Sequence, residues 1–199
     1  MLNNSFIYKK FKKTLKNKYG NQKTKLIWKD ANNELKKYKK EYKNISKDDK
    51  MMILPLASIY RSLKKNNIEN PVELLKDYGK QTGLRIKKII SIFTSIPGLS
   101  KLLWKNMPKL MRITSSPKKG YERKIISETN DLVGVDIIVC PLHQMTIKLG
   151  VPEIAQVICV MDKEYMTGLK KIEYTRMKSI GNGDECCDYR LRYNRNKKD

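Results

Sequence analysis

Only one histidine, three phenylalanines and two tryptophans occur in 199 residues, and acids are outnumbered 20 to 43 by lysine and arginine. With a single imidazole the chain carries no complete nucleophile–histidine–acid pattern, and no paired Cys-x2-Cys clusters mark a structural zinc site. Arginine is absent from the first fifty residues, so bidentate recognition of bases or phosphates is missing where charge is densest. Long apolar runs are also lacking. The longest, Ile89 to Leu99, is broken by Ser, Thr, Pro and Gly and falls short of the roughly 20 residues that span a bilayer. That basic, amphipathic segment could touch anionic lipid but is assigned to core packing. The opening Met-Leu-Asn-Asn-Ser-Phe-Ile-Tyr-Lys-Lys has no apolar h-region, so no signal peptide is read. Four cysteines without an export signal are expected as reduced thiols in a cytoplasmic protein.

What the chain does have is positive charge, +23 overall, unevenly placed. Residues 1–50 hold sixteen lysines against five acids, whereas residues 131–192 hold eight bases against nine acids. The lysines read as solvent dressing on helices, and the near-neutral C-terminal half disfavours nucleic acid as a partner. Hydrophobic content of 40% and this length suit one domain with its own core over residues 1–199.

Residues 1–112 read as helical. Ile7, Phe11, Leu15 and Tyr19 form a stripe that stops at Gly20, continued by Leu26, Trp28, Ala31, Leu35, Tyr38 and Tyr42. Ile53, Leu56, Ala57, Tyr60 and Leu63 form another, with Pro55 in its first turn. Asn70-Pro-Val-Glu73 has the makings of a helix start, with helical spacing through Leu75, Ile86, Ile89, Ile90 and Phe93. One more helix holds Leu102, Leu103, Trp104 and Met107 and ends near Pro108. Ser115 to Gly120 is a linker. Beyond it, residues 121–193 read as a sheet part: strands at Tyr121 to Thr129 and Leu132 to Val139, a helical stretch from Pro141 to Thr167, then a hairpin about Gly181-Asn-Gly-Asp184. Residues 194–199 read as a frayed basic tail. The class is α+β: a helical layer, then a small antiparallel sheet carrying an inserted helix.

Three thiol-bearing spots lie in this second half: Cys140-Pro-Leu-His143, Cys159-Val-Met-Asp162 and Cys186-Cys-Asp188. Strand alternation puts Cys187, Tyr189, Leu191 and Tyr193 on one face, with Asp188, Arg190 and Arg192 on the other. Arg176 falls in phase with Ile172 and Tyr174, and a guanidinium aimed inward needs an acidic partner, from the protein or from a ligand. Each thiol has the simpler reading of a small buried hydrophobe, and the spots matter together only if they converge.

At these residues the chain resembles the L-2-amino-thiazoline-4-carboxylic acid hydrolase family. The resemblance rests on Cys140-Pro-Leu, Leu149-Gly-Val-Pro-Glu153, Cys159-Val-Met-Asp162, Tyr174-Thr-Arg176 and above all Gly183-Asp-Glu-Cys-Cys-Asp-Tyr-Arg190, with Tyr189 where Phe is more usual. Ile53-Leu-Pro-Leu-Ala-Ser-Ile-Tyr60 extends it into the front half. It implies hydrolytic opening of a cyclic isothiourea to a carbamoyl-cysteine, a step towards cysteine. Fitted to that chemistry, Cys187 is the candidate nucleophile, its thiol lowered in pKa by Arg176. Asp162 or His143 is the general acid–base, and Cys140 and Cys159 are either pocket wall or, with His143 and Asp162, ligands for a divalent metal. Arg176 would hold the substrate carboxylate, with Asp188 a further binding candidate at the rim. No cofactor is firmly implied. The expected partner is a small-molecule substrate, with homo-oligomerisation left open. The competing reading is a non-catalytic module that binds or senses a small ligand in a Cys-lined pocket.

Overall fold

The computed structural model describes Leu2 and residues 6–195, without the side chains of Phe6 and Ile7. The expected place of Ile7 in the first stripe and the last four residues of the tail lie outside the described residues.

Helix α1 (Phe6–Glu41) breaks at Gly20, whose φ of 79° is open to glycine at little cost, so the first stripe ends where the sequence suggests. Phe11 and Leu15 before the break, and Trp28, Ala31, Leu35 and Tyr38 after it, are buried. Leu26 is not; Ile27 takes the inward position instead, because it lies four residues before Ala31 and eight before Leu35 on the same helix face. Helix α2 (Leu54–Lys65) packs along α1 with almost every apolar residue buried, and Pro55 sits in its first turn, directly after a π-helical turn at Asp49–Ile53.

Helix α3 (Pro71–Thr94) starts at Asn70 as expected, but Asn70 has left-handed backbone and its side chain makes no capping bond. The helix packs chiefly on α7 (Ala155–Met166). Close approach is secured by two glycines. A Cβ at Gly83 would lie 2.6 Å from the Met161 carbonyl oxygen, and one at Gly79 would lie 2.7 Å from that of Val157. Alanine normally stabilises a helix interior by up to about 1 kcal/mol over glycine. Here the clash is with backbone and costs roughly 1–3 kcal/mol, so Gly83→Ala should lower stability by about 1–2 kcal/mol. A thermal melt that rises in this variant would contradict the packing.

The helix expected around Trp104 is two helices, α4 (Leu99–Lys105) and α5 (Met107–Thr114). Pro108 lies in the first turn of α5 instead of ending a helix. Leu102 points to solvent, whereas Trp104, Met107 and Met111 cover the sheet. Ile89 and Phe93 of α3 are exposed as well, contrary to the expected core stripe.

The sheet has four strands in the order β1-β2-β4-β3, all neighbours antiparallel. Strands β1 (Glu122–Glu128) and β2 (Leu132–Val139) fall where expected. Helix α6 (Pro141–Lys148) and α7 are the inserted helical stretch. Strand β3 (Ile172–Thr175) is far shorter than its alternating sequence suggests, and no tight hairpin joins it to β4 (Cys187–Tyr193). The cause is local. The amides of Met177 and Lys178 donate to the Asp188 carboxylate (2.9 and 2.6 Å), and that of Ser179 donates to Asp184 (2.7 Å). With those amides taken by side chains, the ladder stops and residues 176–186 loop out through a short 3-10 turn at Ile180–Asn182, closed by Gly183 at φ 97°. The inner face of the sheet pairs Val133 with Leu191, Val135 with Tyr189 and Ile137 with Cys187.

Candidate active site

Strand β2 ends at Cys140, which sits at the N-cap of α6, so the Cys140-Pro-Leu-His143 turn carries a thiol and the imidazole to one wall of a cavity. The next wall is α7, where spacing of three sets Cys159 and Asp162 on the same face. The third is the β3–β4 loop with the start of β4, contributing Arg176, Gly181 and Cys187. The cavity encloses about 230 Å³, and Cys140, His143, Cys159, Asp162, Arg176 and Cys187 all line it. Most of the remaining lining is apolar. Asp188 does not line it. As alternation implies, Asp188 faces the other side of β4, where its carboxylate holds the two loop amides. It acts on the site only by fixing the loop that carries Arg176.

Arg176 is 6% exposed and already holds partners within the protein. It donates to Asp162 Oδ2 (3.0 Å), the Cys159 carbonyl (2.7 Å) and the Tyr189 hydroxyl (3.3 Å). Tyr189 in turn donates to the same Asp162 oxygen at 2.7 Å. Burial, and then the Asp162 charge, push the Tyr165 and Tyr189 hydroxyls well up, so both stay protonated. The polar end of the cavity is thus a guanidinium–carboxylate pair flanked by neutral phenols.

Cys187 is 5% exposed. Its sulfur accepts a hydrogen bond from the Ile180 amide (3.3 Å) and lies 4.0 Å from Ser179 Oγ. Burial raises its thiol, outweighing the pull of the Ile180 amide and of Arg176. Arg176 does pull this thiol down, as expected, but desolvation of a thiolate in an apolar pocket outweighs that pull, so the thiol stands above its ordinary value. Burial likewise pushes Cys140 up to about 11, although the amides of His143 and Leu142 oppose it. Gly181 is required in the loop, since a Cβ there would lie 2.7 Å from the Cys159 sulfur.

Among the described residues no three His, Cys, Asp or Glu side chains are grouped to hold a metal ion. Asp162, the one carboxylate lining the cavity, is spent on Arg176 and Tyr189. The donor set does not fit a bound divalent cation.

The sequence reading passed over the tyrosines. Tyr121, Tyr165 and Tyr189 line the cavity and also its neighbour, a second cavity of about 330 Å³ bounded by Leu103, Met107, Met111 and Met166. Ile137 and Asp162 complete the shared wall. The only signal available was the phase of Tyr189 with Cys187.

The model of the L-2-amino-thiazoline-4-carboxylic acid hydrolase family matches residues 4–191, nearly the whole length and every site residue above. The chain belongs to this family. No curated protein matches it. Solved structures with a similar trace include an H-NOX protein from S. oneidensis in its Fe(II)NO state, at 11% identity over 94% of this chain and 97% of that one, TM-score 0.38. A trafficking protein particle complex subunit 3 from Naegleria fowleri, covalently bound to palmitic acid, is 16% identical over 72% of this chain and 96% of that one, TM-score 0.36. Likeness at that level says nothing about the site of this hydrolase-family chain. Among the described residues no helix is long and apolar enough to cross a membrane.

Proposed function

We propose that the protein hydrolyses the 2-aminothiazoline ring of L-2-amino-thiazoline-4-carboxylate to a carbamoyl-cysteine, in the cytoplasm and on the path to cysteine. The observation that carries this is the meeting of Cys187 with the Arg176–Asp162 pair in one small cavity. The substrate is a compact ring bearing a basic isothiourea and a carboxylate. An apolar pocket closed by one cation and one anion offers a complement to each.

In the sequence of events this favours, the carboxylate settles against Arg176 and the ring lies over Cys187. The thiol gives its proton to the ring nitrogen, directly or through His143, which makes C2 electrophilic as it makes the sulfur nucleophilic. Attack forms a bond from Cys187 sulfur to C2, and the ring C–S bond breaks to release the substrate thiol. Water then attacks the same carbon and expels the Cys187 thiolate, leaving a carbamoyl group on nitrogen; one water is consumed. The Ile180 amide, 3.3 Å from the sulfur, stabilises the thiolate at both ends of the cycle.

Incubation of the purified protein with the aminothiazoline carboxylate, with and without chelator, should release free thiol at equal rates. No release at any protein concentration would sink the reading. In the free protein, alkylation of Cys187 should be slow at neutral pH and climb only above the ordinary thiol value of about 8.5, because burial raises this group. A sulfur alkylated rapidly at acidic pH would contradict it. One observation favours a second reading, a ligand-binding or sensing module: burial raises the Cys140 and Cys187 thiols and most of the lining is apolar. That reading predicts tight binding of the same compound with no turnover.

A further inference from the structure

Helix α3 has committed one face to α7 through Gly79 and Gly83. Towards and just past its C-terminus runs a second apolar stripe that none of the described residues covers. Ile89, Ile92, Phe93 and Ile96 follow i, i+3, i+4, i+7 spacing and are 54, 70, 60 and 52% exposed. The helices that follow add Leu102, Leu110 and Ile113, each at least 40% exposed. Seven large apolar side chains in 25 residues are too many to be scattered surface positions.

The charge that these segments themselves carry is of one sign. From Tyr78 to Tyr121 the chain has ten lysines and arginines and not one acid. Lys88, Lys101, Lys105 and Lys109 are exposed among the apolar residues, whereas Arg112 is paired with Glu128. A second copy of this face would bring like charges together, and a nucleic acid would leave the isoleucines and Phe93 facing phosphates. A surface that offers hydrocarbon beneath a layer of negative charge satisfies both features at once.

We propose that α3, α4 and α5 dock on the surface of an anionic lipid bilayer. The apolar side chains enter the boundary between headgroups and acyl chains, and the lysines rest on headgroup anions. Docking spans nothing and does not depend on the reaction assigned to the cavity.

The test is co-flotation of the full chain with vesicles of phosphatidylcholine containing about one-third phosphatidylserine, set against phosphatidylcholine alone. Binding should be at least about tenfold tighter on the anionic vesicles and weaken as salt screens the lysines. The double variant I92S/F93S and the charge reversal K101E/K105E should each lose about tenfold or more. Both alter exposed side chains only, and an unchanged melting temperature confirms that the fold persists. Ring-opening activity on the soluble substrate should be the same in both variants, which separates this proposal from the catalytic one. No vesicle binding at about 0.1 M salt would overturn it. So would binding that survives both variants, a dimer that I92S/F93S dissolves, or retention by RNA in place of vesicles.

Discussion

Replacing Cys187 by serine should lower ring opening by roughly 10³-fold or more while the protein stays folded, as read by thiol release and circular dichroism. A hydroxyl is a far weaker nucleophile than a thiol near neutral pH, and the ring nitrogen that takes the thiol proton is too weak a base to ionise it. The variant should fold because serine is close in size and its hydroxyl inherits the Ile180 amide and Ser179 Oγ as partners. A loss of about 1 kcal/mol in stability is expected. Cys140→Ser and Cys159→Ser are the controls. Cys140 lines the cavity from the α6 start with a thiol pushed up to about 11, and Cys159 is confined by Gly181. Neither change should cost more than about tenfold. Full activity in the Cys187 variant, or collapse in the Cys140 variant alone, would move the nucleophile elsewhere.

Much of this arrangement follows from local pattern. Period-2 alternation separated Cys187 from Asp188 correctly because each strand residue's face depends only on its neighbours. Spacing of three joined Cys159 to Asp162 for the same reason. What eluded the sequence depends on which side chains meet which backbone groups in space. Strand β3 stops after four residues, Ile172–Thr175, because Asp184 and Asp188 capture the amides that would continue it. The Cys187 thiol was expected low, since Arg176 could be placed beside it, and stands high because burial among apolar walls outweighs the pull of that cation. The stripe of Ile89 and Phe93 has the period of a core face, but periodicity does not say whether anything lies opposite, and among the described residues nothing does. Tyr121 and Tyr165 reach the cavity from β1's approach and from α7, a meeting no single segment announces.

Removing the Asp162 carboxylate should be the most destabilising change in the site. The Arg176 side chain is 5% exposed and its guanidinium cannot shed its proton, so Asp162→Ala leaves a buried charge without its counterion. Breaking such a pair from one side costs about 3–5 kcal/mol. The Cys159 carbonyl remains as one acceptor at 2.7 Å, while Tyr189 loses its own partner as well. Asp162→Asn keeps an oxygen for both donors and should lose less, about 2 kcal/mol. Urea unfolding of the two variants measures the difference between charge and hydrogen bonding. The double change Asp162→Leu with Arg176→Met removes both charges together and should recover most of the loss, because a well-packed apolar pair often matches a buried ion pair. That double variant would be stable and yet unable to open the ring, having lost the guanidinium and the carboxylate that line the cavity. If it remained active, the pair would be a structural clamp and the substrate's charges would have to be met elsewhere.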